Sequence, residues 1–180
     1  MAARWRIRTR GCHRTKLLMV ILPIHVIDLS HRDRRARHEH RVEAFSRDYS
    51  LLTSLRELGV DRAAASRLVD LIATQWSVTP PRLTFHRGRG AHTGYCVAPR
   101  ELAVTRHGSD AVTRWETTNG PWALNGMIRL GDPTSLATIA HEAGHHLVHH
   151  LDPMATPAHG KRWVRRFDDA AEVIQSVIDA

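Results

Sequence analysis

Four residues in one short stretch have the types and spacing for metal chemistry. They lie in Thr138-Ile-Ala-His141-Glu142-Ala-Gly-His145-His146-Leu-Val-His149-His150. His141 and His145 are four residues apart, so on a helix both imidazoles share one face and reach one ion. Glu142 stands between them, close enough to take a proton from a water held at that ion. Such a pair needs a helix, and the flanks predict one. Asp132 can cap its start, Pro133 suits a first turn, and Asp152-Pro153 stops it. Leu136, Ala140, Ala143, Leu147 and Leu151 recur at helical spacing. At about 100° per residue, His141, Glu142, His145 and His149 fall on the opposite side. The bland alternative is a histidine-rich face turned to solvent.

A catalytic zinc site needs a third protein ligand and a position for water. His149 continues the row, but it lies about 12 Å from His141 along the axis at 1.5 Å per residue. That places His149 in the cleft wall, with ligation as its less favoured alternative. His146 and His150 fall toward the apolar side. The better third ligand is His159, which follows a turn that reverses the chain and precedes Gly160. Glu172, Asp168 and Asp169 on the last helix are alternatives, because zinc also takes carboxylate. Asp152 is a further candidate, or an outer partner that orients a histidine. Tyr95, His107, His149 and Arg129 are candidates for a second electrophile.

The elements that must position these residues read as an α+β chain. Leu17 to Ile27 is an apolar run too short to span a bilayer. A basic stretch before it resembles a signal peptide, but no small-x-small site follows and residues 30–41 are strongly charged, so a cytoplasmic location is expected. Met19 is an alternative initiator. Val42, Phe45, Tyr49, Leu52 and Leu55 predict a long helix over 32–58, ending at Gly59. Asp61 opens a second, through about Trp76, with Leu68, Leu71 and Ile72 inward. Short strands are expected at 82–86, 94–97, 101–105 and 123–130, in a small, mostly antiparallel sheet. The last of these is expected to be an edge that holds an extended peptide. A final helix is expected to about Ile178, with Trp163, Phe167, Ala170, Ile174 and Val177 inward.

Length and charge set the remaining limits. At 180 residues one domain is the default, expected over 32–180, after a basic, disordered or loosely docked segment over 1–31. Cys12 and Cys96 form neither a metal spacing nor a disulfide framework, which fits a reducing compartment. The formal charge of +8 is unevenly placed. Residues 1–48 hold 12 Lys and Arg against 5 Asp and Glu, while the rest holds 14 against 13. A basic arm of this kind can bind nucleic acid or an acidic surface, or be a solvated tail. The Gly-Arg-Gly at 88–90 lacks the Lys-Ser/Thr and the helix of a phosphate loop.

The segment His141-Glu-Ala-Gly-His145, a turn, and His159-Gly-Lys-Arg-Trp163 resembles the SprT-like zinc metallopeptidases and related actinobacterial metallohydrolases. Gly94-Tyr95-Cys96 and Met127-Ile-Arg-Leu130 look like that family's preceding strands. The likeness covers about residues 82–167, and only the two motifs are specific. It implies a zincin-like fold, Zn²⁺ on His141, His145 and His159, and Glu142 as general base. It also implies hydrolysis of a protein or peptide substrate, including DNA-associated proteins. No Cys-rich zinc ribbon follows, and the gap from His145 to His159 is shorter than in many members. A weaker resemblance, through Ala140 to His149, is to the ImmA/IrrE-like metallopeptidases. Asp168-Asp169-Ala170-Ala171-Glu172 poorly copies their downstream Glu-x-Glu-Ala segment. The metzincin pattern fails at Val148 and Leu151. Two rival expectations are a basic nucleic-acid-binding protein with a structural or relic zinc site, and a zinc hydrolase that does not act on peptides.

Overall fold

The computed structural model describes residues 24–28, 55–87, 94–154 and 159–180. The basic N-terminal arginines, nearly all of the helix expected over 32–58, Cys12, Met19 and the 88–90 glycines lie outside them. Leu55 to Glu57 end a helical turn.

The described chain is a mixed α+β arrangement. Its elements run β1 (Ile27–Asp28), β2 (Leu58–Val60), α1 (Arg62–Gln75), β3 (Arg82–Arg87), β4 (Gly94–Val97), α2 (Arg100–His107), α3 (Ser109–Asn119), β5 (Met127–Asp132), β6 (Thr134–Ser135), α4 (Leu136–Leu151) and α5 (Lys161–Ile178). Leu58 and Gly59 therefore belong to a strand, not to the end of a helix. Asp61 does cap α1, its carboxylate accepting from the Ala64 N–H at 2.8 Å.

The strands form two small sheets. One is antiparallel, in the order β1-β2-β6, with Gly59 opposite both Ile27 and Ser135. The other has the order β3-β5-β4 and is mixed. β3 runs parallel to β5, with Arg82 opposite Met127, and β4 runs antiparallel to it, with Tyr95 opposite Arg129. The expectation of antiparallel pairing holds for three of these four pairs and fails for β3 with β5. β5 is also central, so it offers no free edge. Among the described residues the edges of this sheet are β3 and β4.

Residues 101–105, expected as a strand, are helical within α2, and α3 follows after Gly108. Arg100 explains why the pair holds together. Its guanidinium donates twice to Glu116 of α3, at 2.9 and 3.0 Å. Trp122 then closes the excursion, its indole N–H donating to the Ala98 carbonyl at 2.7 Å. Residues 123–126 form a turn, and the strand starts only at Met127.

α1, α4, α5 and β5 bury a common core. Leu68, Ile72, Ile128, Leu130, Leu136, Ile139, Leu147, Trp163 and Ile174 are all essentially inaccessible. The expected inward rows of α1 and α5 are inward, and of the α4 row only Leu151 reaches the surface. No described helix is long and apolar enough to cross a membrane.

Candidate metal centre

α4 begins at Ser135, whose hydroxyl accepts from the Thr138 N–H at 3.1 Å. The cap expected at Asp132 is thus three residues early. Asp132 instead ends β5, paired in register with Arg87, and its carboxylate meets the Arg62 guanidinium. From Ser135 the helix presents its apolar row to α1 and α5. His141 and His145 stay half-exposed on the other side.

α5 crosses α4 closely at Gly144. A methyl there would meet Phe167 Cα and N at 3.1 Å, so an alanine would push the two backbones apart and glycine lets them come this near. This approach brings His159, just before α5, over the α4 pair. His159 Nε2 lies 3.0 Å from His145 Nε2 and 3.3 Å from His141 Nε2. The three ligand atoms all fall within 4.8 Å of one another.

Those distances decide between a hydrogen-bonded cluster and a cation site. Tetrahedral zinc with Zn–N bonds of about 2.0–2.1 Å separates two ligand nitrogens by about 3.3–3.4 Å. The observed spacings sit at that value or slightly inside it. A hydrogen-bonded cluster fits less well. One ring nitrogen carries either a proton or a lone pair, and His159 Nε2 faces two neighbours at once. A cation between them would use all three lone pairs. The donor set therefore fits a transition-metal ion with nitrogen preference, zinc among them.

Among the described residues no other histidine, cysteine or carboxylate joins a group of this kind. Asp152 and Asp169 both turn to Arg166, at 2.9 and 3.1 Å. Asp152 is outside the histidine group. Asp168 is buried on α5 outside the cluster, and Glu172 is exposed. His149 is outside the triad but next to it, its ring 6.5 Å from that of His145.

Glu142 is 5 % exposed, and burial pushes its carboxyl up to about 8. Bringing a dication near it would pull that value back down. Gly94 of β4 makes room for this side chain. A methyl on Gly94 would stand 2.9 Å from Glu142 Cγ and 3.1 Å from its Oε1. Two residues on, Cys96 faces the same way, its Sγ 3.9 Å from His149 Nδ1. Burial, and then the Glu142 carboxylate, push the thiol well above its ordinary value. Burial pulls His149 down to about 4, with Arg106, His146 and His150 adding in the same direction. His146 is likewise pulled down to about 4 by burial, and its Nε2–H donates to the Thr79 carbonyl at 2.9 Å. It is a packing residue, as its place on the apolar side predicts.

Strand alternation separates the other electrophile candidates from the centre. Gly94 and Cys96 face α4, so Tyr95 points the opposite way and is 43 % exposed. Arg129, opposite Tyr95, is exposed too, as is His107 at the end of α2. Of the four candidates, His149 alone adjoins the histidine cluster.

Sequence reasoning assigned Trp163 to the core and missed its second role. Its ring centroid is 4.7 Å from His141, 5.3 Å from His145 and 4.7 Å from His159. It is an apolar floor under all three imidazoles. Its position four residues after His159 was the available signal. The approach of Gly94 to Glu142 and of Cys96 to His149 was not marked locally and arises through the β4–β5 pairing. Comparison with protein-family models, curated proteins and solved structures finds no match.

Proposed function

We propose that this chain is a zinc-dependent metallopeptidase with a zincin-like centre. The observation that carries the reading is the convergence of the His141, His145 and His159 Nε2 atoms beside the buried Glu142. Those three would hold the ion. Zinc bound there supplies a Lewis acid and lowers the pKa of a coordinated water to about 7. Glu142 is then the general base, accepting the water's proton and passing it to the leaving amine. Burial alone keeps this carboxyl protonated at neutral pH, and a bound dication would lower it again and leave the carboxylate that can accept a proton.

A peptide is the favoured substrate class because of β4. This edge strand runs beside α4 with Gly94 against Glu142, and its outer backbone groups can pair with an extended chain. An acyl or phosphate ester would have no use for that edge. The His159-Gly-Lys-Arg-Trp163 segment, with Trp163 under the ligands, supports the SprT-like resemblance as the family proposal.

The test is metal content and cleavage of an unstructured protein such as casein, on wild type, Glu142→Gln and His159→Ala. Wild type should carry about one zinc and cleave. Glu142→Gln should keep the metal and lose cleavage, and His159→Ala should lose both. A wild type that takes up no metal would overturn the proposal.

A further inference from the structure

We propose that His149 is a second catalytic residue, donating a hydrogen bond from Nε2 to the scissile carbonyl oxygen, and that Cys96 fixes the tautomer that makes this donor. The inference rests on the peptidase reading above. His149 lies one helical turn beyond His145 on the same face of α4, about 6 Å further along the axis. Its ring is nearly parallel to that of His145, with centroids 6.5 Å apart and an interplanar angle of 29°. His149 thus stands outside the three-histidine group and beside it.

Which ring nitrogen carries the proton follows from Cys96. His149 Nδ1 faces the thiol across 3.9 Å, on the side of β4. A thiol is a weak donor and its sulfur a weaker acceptor than an imidazole lone pair. The S–H therefore donates to Nδ1. The rival acceptor is the carbonyl of the adjoining Val97, at 4.0 Å. With Nδ1 accepting, the single proton of a neutral ring resides on Nε2, at the other side of the ring. A protonated ring would carry a proton there as well, so Nε2 is a donor in either charge state. Cys96 is a positioning residue in this scheme and touches no substrate. The buried thiol opposite a row of metal-binding histidines thus acquires a purpose other than ligation or redox chemistry.

Two measurements test this. Nitrogen-15 NMR of the zinc-loaded protein reports the tautomer of His149 without any substrate. Wild type and Cys96→Ser should show the Nε2–H form, and Cys96→Ala a mixture. Kinetics on casein then test the role. His149→Ala should lower kcat on the order of a hundredfold, as removal of one oxyanion donor does. KM and zinc content should be unchanged. His149→Gln, which keeps an N–H donor at similar reach, should recover part of the loss. An Nδ1–H tautomer in wild type overturns the proposal, as does wild-type kcat in His149→Ala. A wild type that binds zinc but cleaves nothing overturns the peptidase reading, and the donor's catalytic role with it, whatever the tautomer.

Discussion

Replacing Glu142 by Gln should stabilise the metal-free protein while abolishing hydrolysis. The carboxyl keeps its proton up to about 8 in the fold, against 4.5 for the ordinary group. Between those values the folded state binds more protons than the unfolded chain, so stability falls as pH rises through that window. At pH 7 the buried carboxylic acid therefore costs about 3 kcal/mol, at 1.36 kcal/mol per unit over roughly 2.5 units. At pH 5 the same reasoning leaves under about 1 kcal/mol. Glutamine has nearly the same shape and never ionises, so it escapes this cost. For a chain of this size, about 3 kcal/mol corresponds to roughly 6–12 °C in Tm.

Thermal unfolding of wild type and Glu142→Gln, both in chelator, measures this at pH 5 and pH 7. His141, His145, His159 and Cys96 are present in both proteins, so their contributions largely cancel in the difference. The variant's advantage should be large at pH 7 and small at pH 5. Added zinc should shrink it at pH 7, because a nearby dication stabilises the charged carboxylate and not the amide. An advantage that is absent at pH 7, or equal at both pH values, would refute burial as the controlling effect.

Other perturbations give separate readings. His159→Ala should weaken zinc binding by more than the roughly 10–100-fold that loss of an outer partner costs, whereas Glu172→Ala should leave it unchanged; competition with a chromogenic chelator measures both. Gly144→Ala pushes a methyl to 3.1 Å from Phe167 backbone atoms and should cost about 1–3 kcal/mol of stability by overpacking, seen in denaturant unfolding. Gly94→Ala forces the Glu142 side chain aside and should depress cleavage while zinc content holds. Chelation of the wild type should lower Tm, and stepwise zinc should restore it in proportion to the logarithm of its free concentration; a Tm indifferent to zinc would show that the folded state does not bind it.

Chemistry was legible in this chain where it is local, and illegible where long-range pairing decides. The α4 helix announces itself through Leu136, Ala140, Ala143 and Leu147, because only a buried face fixes such a period. Its cap was misplaced since Asp132 and Ser135 both satisfy the local rule. What separates them is the ladder from β5 to β3, which keeps Asp132 extended opposite Arg87. Residues 101–105 read as a strand because a short apolar run carries too little period to separate strand from helix. The Arg100–Glu116 pair and the α2–α3 packing that settle it lie outside that window. The same limit explains the strand order. A strand just before α4 looks like an edge, yet β5 is central, with parallel β3 on one side and antiparallel β4 on the other. Three imidazoles could therefore be assembled on paper from a helix, a bend and one glycine. The outer position of β4, and the approach of Cys96 to His149, needed the sheet order.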